Sequence, residues 1–208
     1  LTKSGNGTMT LTGTNTYSGL TSVIQGRLNG NTDSLSGGIS VGGGGTVGFD
    51  QTSSGTFSGP LSGAGSFSKT GAGDLTLSGA NTNSGAWSVS AGRLIGTSSS
   101  VRGDITNSAE VIFDQSTSGT YSGNMSGNGS FTKAGAGAVT LAGDNSYSGG
   151  TTVSAGSLIG TTSSLGGDIS NNSAVTFDQI ASGTYSRVMS GTGSLTKSGS
   201  GTLTISSN

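Results

Sequence analysis

The groups able to do chemistry in this sequence are few. Among its 208 residues there is no His and no Cys. A Ser-His-Asp triad and a thiol nucleophile are therefore excluded, and zinc lacks both of its preferred ligands. Carboxylates remain. Asp50, Asp114 and Asp178 stand in three Phe-Asp-Gln triplets, Phe49–Gln51, Phe113–Gln115 and Phe177–Gln179. Paired-carboxylate hydrolysis needs two acids flanking one bond. An aspartate that recurs in every copy reads instead as a structural or surface group. Glu110 is the one glutamate, with only Asp104 and Asp114 near it in sequence. The Gly-x-Gly stretches resemble a nucleotide fingerprint, but that fingerprint needs a helix after it, and no segment has helical periodicity. Calcium β-rolls need an Asp that the Gly-rich pieces lack. No catalytic, cofactor-binding or metal-ligating residue is assigned, no cofactor is expected, and the ligand-binding residues stay open.

The aromatic residues are the remaining candidates for contact. Trp87 stands alone and reads as a packing residue at a corner, with an exposed contact as the other reading. Tyr17, Tyr121, Tyr147 and Tyr185 read as corner residues with hydroxyls in water, with contacts to sugar or protein as the alternative. Thr8–Thr10 and Thr202–Thr204 resemble ice-binding steps, but such steps are needed on every coil and here recur once per repeat.

Composition limits what can position such groups. The chain has 42 Gly, one Pro, 8 % charged residues and a net charge of −1. Nucleic-acid binding needs clustered Lys and Arg, and the eight basic residues are scattered. No apolar run is long enough to span a bilayer as a helix. Leu1–Gly13 does not read as a signal peptide, so any export signal is expected outside this stretch. Low net charge and strong apolar patterning argue against disorder. Such a chain can fill a thin core along a rod, not one thick core.

The repeat supplies the rod. Phe49, Phe113 and Phe177 are spaced by 64 residues, and Lys3, Lys69, Lys133 and Lys197 each open a Lys-x-Gly motif. The first lysine interval is longer by about two residues, assigned to the run Gly42–Gly45. The units are 1–66, 67–130 and 131–194, with a partial fourth at 195–208, forming one repeat segment. Both ends fall inside a repeat, so a longer array is expected. Within a unit, short pieces such as SFTKAG, AVTLAG and AVTFDQ alternate apolar with small or polar residues, as strands with one buried face do.

These features predict an all-β parallel β-helix of about ten coils, roughly 45–50 Å long. The spacing of Phe131, Val153, Val175 and Leu195 suggests coils of about 20–22 residues, three to a unit. Val111, Phe113, Phe131, Val139, Leu141, Val153, Leu158, Ile169, Val175 and Phe177 are expected inside. Asp50–Lys69, Asp114–Lys133 and Asp178–Lys197 are each 19 apart. They are expected to pair across adjacent coils, with the lysine turned outward. Asn15, Asn81 and Asn145 are expected at corners in left-handed geometry.

Residues 1–28, 67–95 and 131–159 share the Lys-x-Gly-x-Gly turn, an apolar-Thr-apolar strand, an Asn-x-Tyr-Ser-Gly turn and a closing Ala-Gly-x-Leu. A truncated copy begins at Leu195. These segments resemble the passenger-associated transport repeats of autotransporters. Asn83 replaces the expected Tyr, and Ala86-Trp87 replaces Gly-Thr, in the second copy. The resemblance implies a right-handed parallel β-helix in a passenger domain at the surface of a Gram-negative cell or secreted from it. Export would use a C-terminal outer-membrane β-barrel outside this segment. The implied role is a non-catalytic stalk or adhesin. Its expected partner is a host surface protein or glycan, or another cell's copy through self-association. A filamentous adhesin and a β-helical polysaccharide-active enzyme fragment are the alternatives.

Overall fold

The computed structural model describes residues 1–206. They form a parallel β-solenoid of about ten turns without a helix. Of the strands, only Thr21–Gly30 and Ile39–Asp50 exceed five residues. The chain therefore bends every few residues, which the Gly-rich composition permits. The local rule is visible in Leu75–Leu77 and Trp87–Val89, where two buried apolar residues flank a central residue that faces out. Alternation over three residues is the strand period at its shortest useful length.

Every strand pairs in parallel with the coils beside it, and rungs of equivalent residues run along three faces. One ladder runs Met9, Leu28, Val47, Phe67, Trp87, Ile105, Met125. A second runs Gly55, Leu75, Leu94, Val111, Phe131, Thr151, Ile169, Met189. A third runs Gly119, Val139, Leu158, Val175, Leu195.

These ladders correct the coil length. Phe131 lies beside Thr151, Lys133 beside Val153, and Val175 beside Leu195. Phe131, Val153, Val175 and Leu195 thus do not share one column. A coil averages about 19 residues, so a 64-residue unit is about three and one-third coils. Equivalent residues consequently occupy successive faces. Phe67 lies on the first ladder, Phe131 on the second and Leu195 on the third. The extra residues of the first unit form a bulge: Val23 pairs with Val41, but Gln25 pairs with Gly44.

All ten residues expected inside are buried. Their rings form short stacks. Phe67 and Trp87, adjacent rungs, lie 4.9 Å apart and nearly parallel. Phe113 meets Phe131 edge-on at 5.3 Å and Tyr121 at 5.1 Å. In the last coil the interior positions are uncovered: Leu195 is 43 % exposed where its repeat equivalent Phe131 is fully buried.

Left-handed backbone belongs to glycine alone among the described residues. Asn15, Asn81 and Asn145 are not left-handed. Each uses its amide to stitch coils together. The Asn81 Oδ1 accepts from the Leu61 amide at 2.8 Å, and its Nδ2 donates to the Ser100 carbonyl at 2.6 Å. Asn145 bridges Met125 and Ser164 in the same way, and Asn15 donates to Ser34. Where strands stop, a side-chain amide replaces the missing backbone rung, which a buried corner requires.

Candidate functional site

The charged repeat residues do not form the expected pairs. Lys69 lies in register with Phe49, and Lys133 with Phe113. Both lysines share the inward parity of Phe67 and Phe131 and are fully buried. The Lys133 Nζ donates to the carbonyls of Ala134, Gly135 and Ala155. Lys69 does the same to Thr70, Gly71 and Ala91, and Lys3 to Ser4, Gly5 and Gln25. The Lys-x-Gly motif is thus an ammonium capped by its own turn and by the coil beyond. Burial pulls the ammonium of Lys69 and of Lys133 below the ordinary lysine value, opposed by the charges of Asp74 and Asp50 in one case and of Asp114 in the other. Lys197 lies in register with Phe177 but in the last coil, where it is exposed and caps only Ser198 and Gly199.

Asp50, Asp114 and Asp178 face solvent. Asp50 and Asp178 accept from the hydroxyls of Thr70 and Ser198, one residue beyond the lysines. Among the described residues the ion pair is Arg93–Asp74, at 2.6 Å. The Arg93 hydrogen bonds hold the Asp74 carboxyl below its ordinary value. Glu110 accepts from the Thr132 hydroxyl at 2.8 Å. The glutamines of the Phe-Asp-Gln triplets turn inward. Gln115 accepts from the Ser98 amide at 2.8 Å and donates to Thr117 and Ala138, and Gln51 and Gln179 are placed alike. No three His, Cys, Asp or Glu among the described residues are grouped as a metal site would require.

The tyrosines differ from expectation. Tyr121, Tyr147 and Tyr185 are buried, with hydroxyls bonded to the Gly103 carbonyl, to Thr151 and to the Gly167 carbonyl. Burial raises all three phenols, Tyr147 to about 12. Tyr17 is half-buried and its hydroxyl accepts from Thr21. Trp87 packs inside, but from the strand Trp87–Val89 on the first ladder and not from a corner. It is accompanied by a defect in hydrogen bonding: Trp87 Nε1 and Asn83 Oδ1 are buried without partners. Tyr147 and Thr151, the equivalent pair in the third unit, bond each other at 2.7 Å. An unpaired buried polar atom costs about 1–3 kcal/mol. The second unit therefore moves its aromatic ring four residues along the chain and leaves two polar atoms bare. The departures of Asn83 and Trp87 from the repeat were the sequence signal for this place.

Two grooves lie at the corner that Asn83 occupies and at its equivalent one unit on. The first holds about 330 Å³ and is lined by Asn83, Ser84, Arg102, Thr120, Tyr121 and Ser122, among others. The second holds about 260 Å³, with Tyr147, Thr184, Tyr185, Ser186 and Arg187 in the lining. The two linings correspond almost residue for residue at the 64-residue spacing, except in their basic group. Arg102 is replaced by Gly166, while Gly123 is replaced by Arg187. Each groove thus keeps one arginine, taken from a different repeat position. Sequence reasoning had left the ligand-binding residues open and did not find these grooves, because their walls come from three separate coils.

No helix among the described residues is long and apolar enough to cross a membrane. No curated protein and no solved structure matches the chain. The passenger-associated-transport-repeat family matches residues 1–29, 67–95, 131–159 and 195–208. Those matches begin at Leu1, Phe67, Phe131 and Leu195, each two residues before a lysine whose turn carbonyls cap it. The chain carries passenger-associated-transport-repeats in four stretches that together make up just under half of it, consistent with the repeats of autotransporter passengers.

Proposed function

We propose that this chain is a rigid, non-catalytic display segment of an autotransporter passenger, a stalk or adhesin module held outside a Gram-negative cell. The observation that carries this is the continuous parallel ladder with its inward-capped lysines. It makes a self-supporting rod from repeats, and each repeat needs only its neighbours for stability. A chain without cysteine can cross an envelope unfolded without forming premature disulfides. Export would rely on an outer-membrane β-barrel elsewhere in the polypeptide. The rod would present its Ser- and Thr-rich exterior to a host protein or glycan, or to a copy on another cell.

The experiment is surface display. The chain is fused ahead of an autotransporter barrel with a protease site inserted at Ile180, which is 85 % exposed. Cleavage on intact cells is the expected result. Cleavage only after lysis would overturn the reading.

A further inference from the structure

We propose that the groove at Asn83 and Arg102 binds an acidic sugar, a carboxylated pyranose whose carboxylate meets the arginine and whose hydroxyls meet Asn83 and the serine and threonine hydroxyls. The inference rests on the display reading above and adds the chemistry of the partner.

Three observations support it. First, Asn83 is only 2 % exposed, lines the groove and has a bare Oδ1. That oxygen is covered as well as unpaired, so a sugar hydroxyl would reach it only with the Asn83 amide turned toward the groove. Its Nδ2 is engaged, weakly, with the Arg102 carbonyl at 3.4 Å. Second, Arg102 and Arg187 line corresponding grooves from different repeat positions. What the two units share there is an arginine, not its place in the chain. Guanidinium suits a carboxylate because two parallel N–H groups match its two oxygens. Asp104, two residues along from Arg102, accepts from the Asn124 amide and does not line the groove. Third, the remaining wall is hydroxyl-rich: Ser84, Thr120 and Ser122. Hydroxyls both donate and accept, as a polyol requires. The volume of about 330 Å³ admits one pyranose ring.

The second groove has Tyr147 where the first has Asn83, and that tyrosine is already bonded to Thr151. It should bind the same sugar more weakly. Since each unit ends one face further round, the two grooves open in different directions. One short chain cannot fill both, and they should act independently.

The test uses the intact purified chain and tetragalacturonate as probe, by calorimetry and by amide shift mapping. Saturable binding is expected, with shifts at Asn83, Ser84 and Ser122. The carboxyl-reduced oligosaccharide should bind at least about tenfold more weakly. Arg102→Gln, at an exposed position, should lose about tenfold at the first groove and nothing at the second. Asn83→Tyr should weaken binding at the first groove to the level of the second, with circular dichroism confirming the fold. Absence of saturation up to about 10 mM would overturn the proposal. So would equal binding by poly-glutamate, or unchanged affinity in Arg102→Gln. None of these failures bears on surface display, which the protease experiment reads separately.

Discussion

The Nζ of Lys133 donates to the carbonyl of Ala155 at 3.0 Å, from one coil to the next. The same bond joins Lys69 to Ala91 and Lys3 to Gln25, each 22 residues apart. The lysine serves as a cross-brace between coils and satisfies carbonyls that the turn would otherwise bury bare. Replacing Lys133 by Met keeps the stem and removes the brace. We expect a loss of about 1–3 kcal/mol in urea denaturation, the cost of unmet buried acceptors. Lys197→Met, in the exposed last coil, should cost less than about 0.5 kcal/mol.

Gly156 follows the Ala155 acceptor with φ +67°, and a Cβ there would sit 2.5 Å from the Gly137 carbonyl oxygen. Gly156→Ala therefore meets both an unfavourable backbone and a neighbouring coil that cannot yield. A loss of more than about 2 kcal/mol is expected. A change within experimental error, measured the same way, would show that the coils slide apart more easily than their ladders suggest.

Alkaline pH should act in two directions. The lowered lysines bind fewer protons folded than unfolded below their ordinary value of 10.5. Stability therefore rises as pH climbs through that window. The buried phenols are raised above 10.0. The folded chain then holds more protons than the unfolded one, so stability falls as pH rises above that value. A maximum on the alkaline side follows. Lys69→Met with Lys133→Met should remove the rise, and tyrosinate absorbance should appear cooperatively with unfolding.

The pair Asn83 and Trp87 should behave as one substitution. Asn83→Tyr alone crowds the indole, and Trp87→Thr alone leaves a cavity beside Phe67, whose ring stacks on it at 4.9 Å. Together they restore the Tyr147–Thr151 arrangement. Each single variant is expected to cost about 2–4 kcal/mol. The double should cost less than the sum by at least about 1 kcal/mol, as contacting sites do. Strict additivity in a double-mutant cycle would count against the shared space.

The strands and their inward residues were legible because alternation is a local property: Val139, Thr140 and Leu141 point in, out and in, as their types indicate. Repeat spacing gave the solenoid for the same reason. The coil length was not legible. The 64-residue copies are alike in sequence, but rungs such as Phe67, Trp87, Ile105 and Met125 share only their size and apolarity. Lys133 was misplaced although its parity with Phe131 pointed inward. The general preference of ammonium groups for water points outward, but the carbonyls of Ala134, Gly135 and Ala155 replace that water. The grooves were hidden because Asn83, Arg102 and Tyr121 meet only once three coils are wound.

The one-third turn left over in each unit makes the array a screw. Inserting one unit leaves the interior ladders intact and rotates everything beyond it by about 120°. Inserting three restores the original heading after about ten coils, or roughly 48 Å of rod at the strand spacing. Copy number in such a passenger thus sets azimuth as well as reach. Two arrays that differ by a single unit would hold an identical tip at different angles to the cell. A tip whose partner approaches from one side would sense that difference in phase without any change in its own surface.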